Sequence, residues 1–364
     1  MEVSPVSLVN VSCSPHLHEQ VSVRRVMWTV VIALLPALLA AYLFFGWRSI
    51  WITILGVVAA VGAEALVQFF TKRPVTISDG SAVVTGMLLA FNLPPLTPWW
   101  IPVVGSVFAI TIGKQIFGGL GYNPVNPALL ARAFLMASWP VQMTTGWATK
   151  LANAGVATIS GLKQTLITGG DAQLQNLITS ATPLNLAQQV RGDIIAGTAG
   201  DSASTIFHQL SSLDYIKELF WGNIGGCIGE VSAAALILGS AILVYKHYIE
   251  WRIPIGYIGT VAFLSWMVGG IDGLFSGPIL FHIFSGGLIL GAFFMATDMV
   301  TTPVTKNGRL IFGIGCGLLT VVIRTWGGYP EGVSYSILIM NVAAPLIDKI
   351  TPQKAFGYRK KAKK

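Results

Sequence analysis

The sequence predicts an all-α polytopic membrane protein with about ten transmembrane helices arranged as an inverted 5+5 repeat. Of its 364 residues, 53% are hydrophobic and only 10% are charged, whereas a soluble globular chain carries about 25% charged residues. The apolar residues form runs that are typical of membrane-spanning helices. A long polar insert, residues 146–221, separates five such runs from five more. Because five is an odd number, the second half is expected to enter the membrane inverted.

The apolar runs divide the chain into five regions. A leader, residues 1–25, lacks the apolar core of a cleavable signal peptide. It precedes a first transmembrane block, residues 26–145, and the insert precedes a second block, residues 222–348, with a basic tail at 349–364. The predicted spans are residues 26–46, 50–70, 79–92, 99–117, 128–145, 222–245, 253–270, 278–296, 310–323 and 333–347. The third and eighth spans share small residues ahead of an apolar run, which favours the repeat.

Lys and Arg residues predict the orientation, because cytoplasmic loops of membrane proteins are enriched in them. When alternate loops are assigned to the cytoplasm, most of the 23 Lys and Arg residues fall there, including Lys114 and Arg132. Both termini are therefore predicted in the cytoplasm and the insert outside it. The net charge of +8 does not indicate a nucleic-acid partner, since much of it lies in the tail, where it meets anionic lipid.

Several kinds of site are not predicted. Cys13, Cys227 and Cys316 are far apart, so neither a disulfide framework nor a metal site is expected within this chain. A thiolate shared with a partner chain stays open. His282 has no second histidine in a facing span, and it is more typical of a hydrogen bond between helices than of a haem ligand. No phosphate-binding loop, dinucleotide-binding motif or zinc-ligand pattern occurs, so the chemistry of soluble enzymes is not predicted.

Ionisable residues inside spans are costly in a bilayer and are often functional. Such residues lie within or near the ends of the predicted spans: Glu64, Lys114, Glu230, His282, Asp79, Asp272 and Asp298. The alternative for each is an ion pair between helices, or a side chain that reaches the membrane interface.

Asparagine and proline interrupt the spans at residues 92–95 and 123–127, and a polar stretch interrupts them at 298–303. A broken helix in lipid needs protein, water or a ligand to satisfy its backbone. Asn123, Asn126 and Asp298 are therefore candidates for a ligand or ion site at the interface between the repeats. The alternative is that they are ordinary caps of helix ends.

Three motifs together resemble a known family. They are residues 79–95 (DGSAVVTGMLLAFNLPP), residues 121–127 (GYNPVNP), and Ser180, Ala181, Thr182, Pro183 and Leu184 in the insert. With Ser14-Pro15-His16 in the leader, they are similar to RnfD, the D subunit of the Rnf electron-transport complexes. The related NqrB protein of the sodium-pumping NADH:quinone oxidoreductase shares this architecture. The resemblance covers essentially the whole chain.

The resemblance implies a membrane subunit of an ion-translocating complex that couples the redox chemistry of NADH and ferredoxin. It implies covalent FMN, joined by a phosphoester to Thr182, and a non-covalent riboflavin among the helices, for which Asn123, Asn126 and Asp298 are candidates. The implied partners are the flavoprotein RnfG, the membrane proteins RnfA and RnfE of the same complex and a flavin transferase. The implied location is the bacterial inner membrane, with the flavin loop in the periplasm. The coupling ion and the direction of electron flow stay open.

The attachment motif also departs from the family pattern. A transferase must reach the hydroxyl, so Thr182 is expected on flexible, water-exposed backbone, with small Ser180 and Ala181 beside it. An acidic residue often lies about six positions upstream in the family, but this chain has Asn176 there. A rival hypothesis is a solute channel or transporter on the same repeat with no redox role, because everything except the Thr182 motif suits it.

Overall fold

The structure, a computed structural model, describes residues 21–144, 147, 182–195, 202–222, 224–271, 273–328 and 331–352. Within these ranges every regular element is helical, as the sequence predicts. Several predicted features lie outside the described residues: most of the leader, Asn176, Ser180, Ala181, Asp272 and the basic tail beyond residue 352.

Two long helices begin the first half, α1 (Val23–Phe45) and α2 (Trp47–Phe70). They are joined by Gly46, whose positive φ of 77° is accessible because glycine has no Cβ. The shorter helices that follow are α3 (Ser81–Phe91), α4 (Trp100–Ile110), α5 (Pro127–Ser138) and α6 (Pro140–Thr144).

The described part of the insert is helical rather than an unstructured loop. It contains α7 (Pro183–Ile195), α8 (Ser202–Leu210) and α9 (Leu213–Trp221). Their apolar side chains share a small core with one residue of the second half: Leu184, Leu186, Ala187, Val190, Ile206, Phe207, Leu210, Leu219 and Phe281. Burying these side chains together docks the insert against the spans.

The second half contains α10 (Ala233–Tyr245), α11 (Arg252–Val268), α12 (Ile279–Phe284), α13 (Leu288–Leu290), α14 (Lys306–Trp326) and α15 (Val333–Ile350). The sixth span was predicted at residues 222–245, but its helix begins only at Ala233. Gly222 has a φ of 112°, which ends α9, and the Ser232 side chain caps α10 by accepting from the backbone N–H of Ala235.

Small residues allow the helices to pack closely. A Cβ added at Gly86 of α3 would lie 2.7 Å from the carbonyl oxygen of Gly56 in α2. A Cβ at Gly239 of α10 would lie only 1.9 Å from the carbonyl oxygen of Ala33 in α1. Contacts of this kind are typical of membrane helices, which associate through close packing rather than through exclusion of water.

Helix breaks occur in both halves. The helix that begins as α4 continues into a π-helical turn, Thr111–Gln115, and α13 continues into another, Gly291–Met295. Gly286 and Gly287, both with positive φ, separate α12 from α13. Single π-helical turns within α-helices are frequent at functional sites.

By length and composition, four helices of the described chain can cross a membrane: α1, α2, α14 and α15. Shorter apolar helices accompany them, namely α3, α5, α10 and α11. Large apolar side chains such as Leu43 and Phe69 are exposed on α1 and α2, which suits contact with lipid. A helical membrane protein is thus supported, whereas the ten spans and their inverted repeat stay predictions.

Candidate functional site

Thr182 borders a cavity between α5, α6, the start of α7 and the start of α15. Including the space open at its mouth, this cavity measures about 540 Å³. Apolar and polar side chains share its wall, and the principal ones are Arg132, Met136, Met143, Trp147, Asn185 and Glu331. We call this space the Thr182 cavity.

Thr182 caps the N-terminus of α7. Its Oγ1 accepts a hydrogen bond of 3.4 Å from the backbone N–H of Asn185, and Pro183 follows at the first helical position, where its missing N–H is not needed. The residue is only 7% exposed. The expectation of a water-exposed Thr182 is therefore wrong for the folded chain, because α7 begins at this point and packs against the spans.

Side-chain contacts hold α7 in place. Leu184 is buried in the small apolar core. Gln188 Nε2 donates to the carbonyl oxygen of Gly327 at 2.7 Å, just beyond α14. Arg191 Nη2 donates to the carbonyl oxygen of Val268 at 2.6 Å, at the end of α11. Helix α7, which begins after Thr182, is thus hydrogen-bonded to the ends of α11 and α14 in the second half.

Arg132 supplies the positive charge in the wall of the Thr182 cavity. Its guanidinium forms an ion pair with Glu331. It also donates to Asn92 Oδ1 at 2.9 Å and to Ser334 Oγ at 2.7 Å. Counting loop charges assigned Arg132 to the cytoplasmic side, but the structure buries it in α5, so it is no guide to topology.

Three potential metal-ligating atoms gather beside this ion pair. Atoms of Cys227, Glu230 and Glu331 all lie within 4.8 Å of one another. However, Arg132 Nη2 is 4.0 Å from Cys227 Sγ and is paired with Glu331, and Glu230 Oε1 accepts from the backbone N–H of Cys227 at 2.8 Å. Because a metal ion here would face the guanidinium charge, the arrangement fits a charge network better than a metal centre.

Asn123, Asn126 and Asp298 line one cavity, together with Ser81 and Lys114. The cavity measures about 880 Å³ with its open mouth and lies between the start of α1, α3, the start of α5 and the π-helical turn after α13. We call it the Asp298 cavity. The structure therefore brings the three residues suggested by the broken spans to one place.

These three residues also form hydrogen bonds with the backbone close to them in the sequence. Asn126 Oδ1 accepts from the backbone N–H of Ala128 at 3.0 Å and so caps α5. Asp298 Oδ1 accepts from the backbone N–H of Val300 at 3.3 Å, and Asn123 Nδ2 donates to the carbonyl oxygen of Val125 at 3.1 Å. The alternative of an ordinary helix cap is therefore confirmed for Asn126, which also lines the cavity, whereas Asn123 and Asp298 form bonds within turns.

Buried polar groups connect the two cavities. Asn126 Nδ2 donates to the carbonyl oxygen of Met295 at 3.4 Å, and Asn92 Nδ2 lies 3.7 Å from Met295 Sδ. The side-chain carbonyl of Asn92 then accepts from Arg132 in the Thr182 cavity. Neither Arg132 nor Glu331 is among the site residues that the sequence predicts, although an arginine inside an apolar run is a signal of function.

Long apolar helices, breaks within them and two cavities joined by buried polar side chains are typical of a polytopic helical membrane protein with internal polar sites. The chain belongs to the NQR2, RnfD, RnfE family, whose model matches residues 10–357. The resemblance seen in the motifs is thereby confirmed.

Curated relatives cover nearly the whole chain, and each of three is the D subunit of a complex. In Acetobacterium woodii the complex is the Na(+)-translocating ferredoxin:NAD(+) oxidoreductase, and the identity is 47% over 354 residues, covering 97% of this chain and 96% of the relative. In Clostridium ljungdahlii it is the proton-translocating ferredoxin:NAD(+) oxidoreductase, with 43% identity covering 97% and 98%. In Stutzerimonas stutzeri it is the ion-translocating oxidoreductase, with 42% identity covering 94% of each.

Proposed function

We propose that this protein is the D subunit of an ion-translocating ferredoxin:NAD(+) oxidoreductase complex and that it carries FMN on Thr182. The family and the names of three relatives that match nearly end to end support the first part. These names differ in the ion, sodium in one relative and protons in another, so the proposal does not extend to the ion.

The position of Thr182 carries the proposal for the cofactor. A phosphoester on its side chain would stand at the N-terminus of a 13-residue helix, where free backbone N–H groups and the helix dipole favour a phosphate. The adjoining Thr182 cavity offers apolar surfaces at Met136 and Trp147 and polar groups at Arg132 and Asn185 for a flavin ring. Bound there, the flavin would accept and donate electrons, while these residues position it and influence its potential.

The Asp298 cavity is the candidate for the second site. Asn123, Asn126 and Asp298 offer amide and carboxylate groups to either a non-covalent flavin, such as riboflavin, or a cation. Its neighbouring aromatic side chains, Tyr248, Phe293 and Phe294, suit a flat ring.

Helix α5 runs between the two proposed sites. Pro127, at its start, lines the Asp298 cavity, and Met136 lines the Thr182 cavity. Nine helical steps separate these residues, or about 14 Å at 1.5 Å per residue. Two flavins so placed would carry electrons along the axis of α5, from one end of this helix to the other.

The proposed setting is the bacterial inner membrane, with both termini in the cytoplasm and Thr182 in the periplasm. The proposed partners are the other Rnf proteins, including the flavoprotein RnfG and the membrane proteins RnfA and RnfE, together with a flavin transferase. The transferase must reach a hydroxyl that is buried once α7 docks. Attachment is therefore expected before α7 docks or while it is transiently released.

Fluorescence of the denatured protein in a gel under ultraviolet light tests the function. Covalent flavin survives denaturation, so the wild-type band should fluoresce after co-expression with a flavin transferase. Thr182→Ala should abolish the signal, although losing the helix cap is also expected to cost about 1 kcal/mol of stability.

Thr182→Asn is the matched control, because asparagine caps helices well but has no hydroxyl to esterify. It should fold like the wild type and show no fluorescence, whereas Thr182→Ser should keep the hydroxyl and some label. A fluorescent Thr182→Asn band would reject this attachment site. A dark wild-type band would instead favour the rival transporter hypothesis.

A further inference from the structure

A separate cavity lies between α7, α8, α12 and the ends of α11 and α14. It measures about 460 Å³ with its open mouth. Two arginines and a histidine line it, namely Arg191, Arg324 and His282, and none of the described residues that line it is acidic. We call it the basic cavity.

Arg324 brings a buried positive charge to this cavity. The side chain is 4% exposed and donates to backbone carbonyl oxygens of α12 and the turn after it, at 2.6 Å to His282 and 2.9 Å to Ser285. Among the described residues, no carboxylate lies within ion-pair distance of it. These bonds satisfy donors of the guanidinium but do not neutralise its charge, and the Glu230 carboxylate attracts it only from beyond ion-pair distance.

Arg191 faces the same cavity from α7 with an unused donor. Its Nη2 reaches the carbonyl oxygen of Val268, but its Nε is buried without a hydrogen-bond partner in the described structure. Burial lowers the pKa of the Arg191 guanidinium, because it removes water from around the charge. A buried donor without a partner is uncommon in native proteins and calls for an explanation.

We propose that the basic cavity binds a phosphate-type oxyanion, which links Arg191 of α7 to His282 and Arg324 of the spans. A tetrahedral oxyanion offers several acceptors and negative charge, and guanidinium groups are well suited to both. The anion clamps the helix that begins at Thr182 onto the second half of the chain. This proposal does not depend on whether Thr182 carries a flavin. The phosphate group that binds belongs either to a lipid headgroup or to free phosphate.

Thermal unfolding of the full-length protein tests the site. In delipidated detergent solution, inorganic phosphate should raise the unfolding midpoint relative to chloride at equal ionic strength if free phosphate binds. In nanodiscs, phosphatidylglycerol should raise it relative to the phosphate-free lipid digalactosyl diacylglycerol if a headgroup binds. A response to either probe supports the site and shows whether the phosphate group comes from free phosphate or from a lipid. If neither probe raises the unfolding midpoint, the proposal is wrong.

Two variants show whether the response comes from this cavity. Arg191→Gln removes a positive charge and His282→Leu removes the imidazole donor, so each should raise the concentration for half-maximal stabilisation by about tenfold. Lys217→Gln is the control: this lysine is 71% exposed on α9 and does not line the cavity. The proposal fails if both cavity variants respond like the wild type, or if Lys217→Gln loses the response to the same extent.

Discussion

Lys114 Nζ lies 2.6 Å from Glu64 Oε1, and the two side chains are only 2% and 1% exposed. Lys114 stands on the π-helical turn after α4 and also donates to Ser81 Oγ at 2.6 Å. Gln115 Nε2 donates to Glu64 Oε1 at 2.8 Å, while Glu64 Oε2 has no partner in the described structure. The pair ties α2 to the helix that begins as α4, so the alternative of an ion pair between helices is confirmed for these two residues.

Neutralising one member of this pair should destabilise the protein more than neutralising both. Glu64→Gln or Lys114→Met leaves a buried charge without its partner, which typically costs about 3–5 kcal/mol. The double variant removes both charges and should recover much of that loss. Unfolding midpoints of the three variants in the same detergent measure the effect. Additive losses in the double variant would mean that the two charges are not coupled.

Gly239 should not tolerate a methyl group. Alanine there would bring its Cβ within 1.9 Å of the carbonyl oxygen of Ala33, so α1 and α10 would have to move apart. We expect a loss of about 1–3 kcal/mol, as for other overpacked interiors, measured by thermal unfolding.

Gly259 of α11 is the matched control for this substitution. It lies within a helix and has no atom within 4 Å of the position of an added Cβ. Gly259→Ala should therefore be neutral or stabilise the protein by up to about 1 kcal/mol, because alanine is the better helix former. Equal effects of the two substitutions would mean that the contact with Ala33 is not limiting.

The sequence predicted much of the helical framework because apolar runs and their stop signals are local. The predicted spans 50–70 and 333–347 closely match α2 and α15. The error at the sixth span has a local cause as well. Residues 222–232 are apolar enough to extend a span, but the positive φ of Gly222 ends α9 and the Ser232 cap marks where α10 starts.

The candidate site was predictable only in part. Asn123, Asn126 and Asp298 stood out because each interrupts a span, and the structure places them at one cavity. By contrast, the contact of Arg132 with Glu331 joins residues nearly two hundred positions apart. A hydropathy pattern gives no information about contacts between such distant residues. The burial of Thr182 was missed because it depends on α7 packing against distant helices.

Labelling of introduced cysteines should test the proposed topology. Lys217 is exposed on α9 within the insert, and Lys349 is exposed near the end of α15. In a Cys13→Ser background, Lys217→Cys should react with a membrane-impermeant maleimide added to spheroplasts, whereas Lys349→Cys should react only after lysis. Buried Cys227 and Cys316 should contribute little background. The reverse pattern would invert the proposed orientation.

The ion pair of Arg132 and Glu331 should influence the reduction potential of a flavin held at Thr182. Reduction adds negative charge to the flavin, so a nearby positive charge raises its reduction potential and a negative charge lowers it. Glu331→Gln removes the carboxylate that is paired with Arg132 and should raise the potential. Arg132→Gln leaves Glu331 unopposed and should lower it. A shift of the flavin reduction potential by about 30 mV in either direction corresponds to a change of about 1.4 kcal/mol in the free energy of two-electron reduction.

The double variant Arg132→Gln/Glu331→Gln supplies the decisive comparison, because it restores the net charge of the wild type. Its potential should return close to the wild-type value in a spectroelectrochemical titration of the purified complex. Lys217→Gln, which removes an exposed charge outside the cavity, should leave the potential unchanged. Shifts of the same sign in both single variants would point to a change in structure rather than to charge. Unchanged potentials in both would place the flavin ring outside the Thr182 cavity.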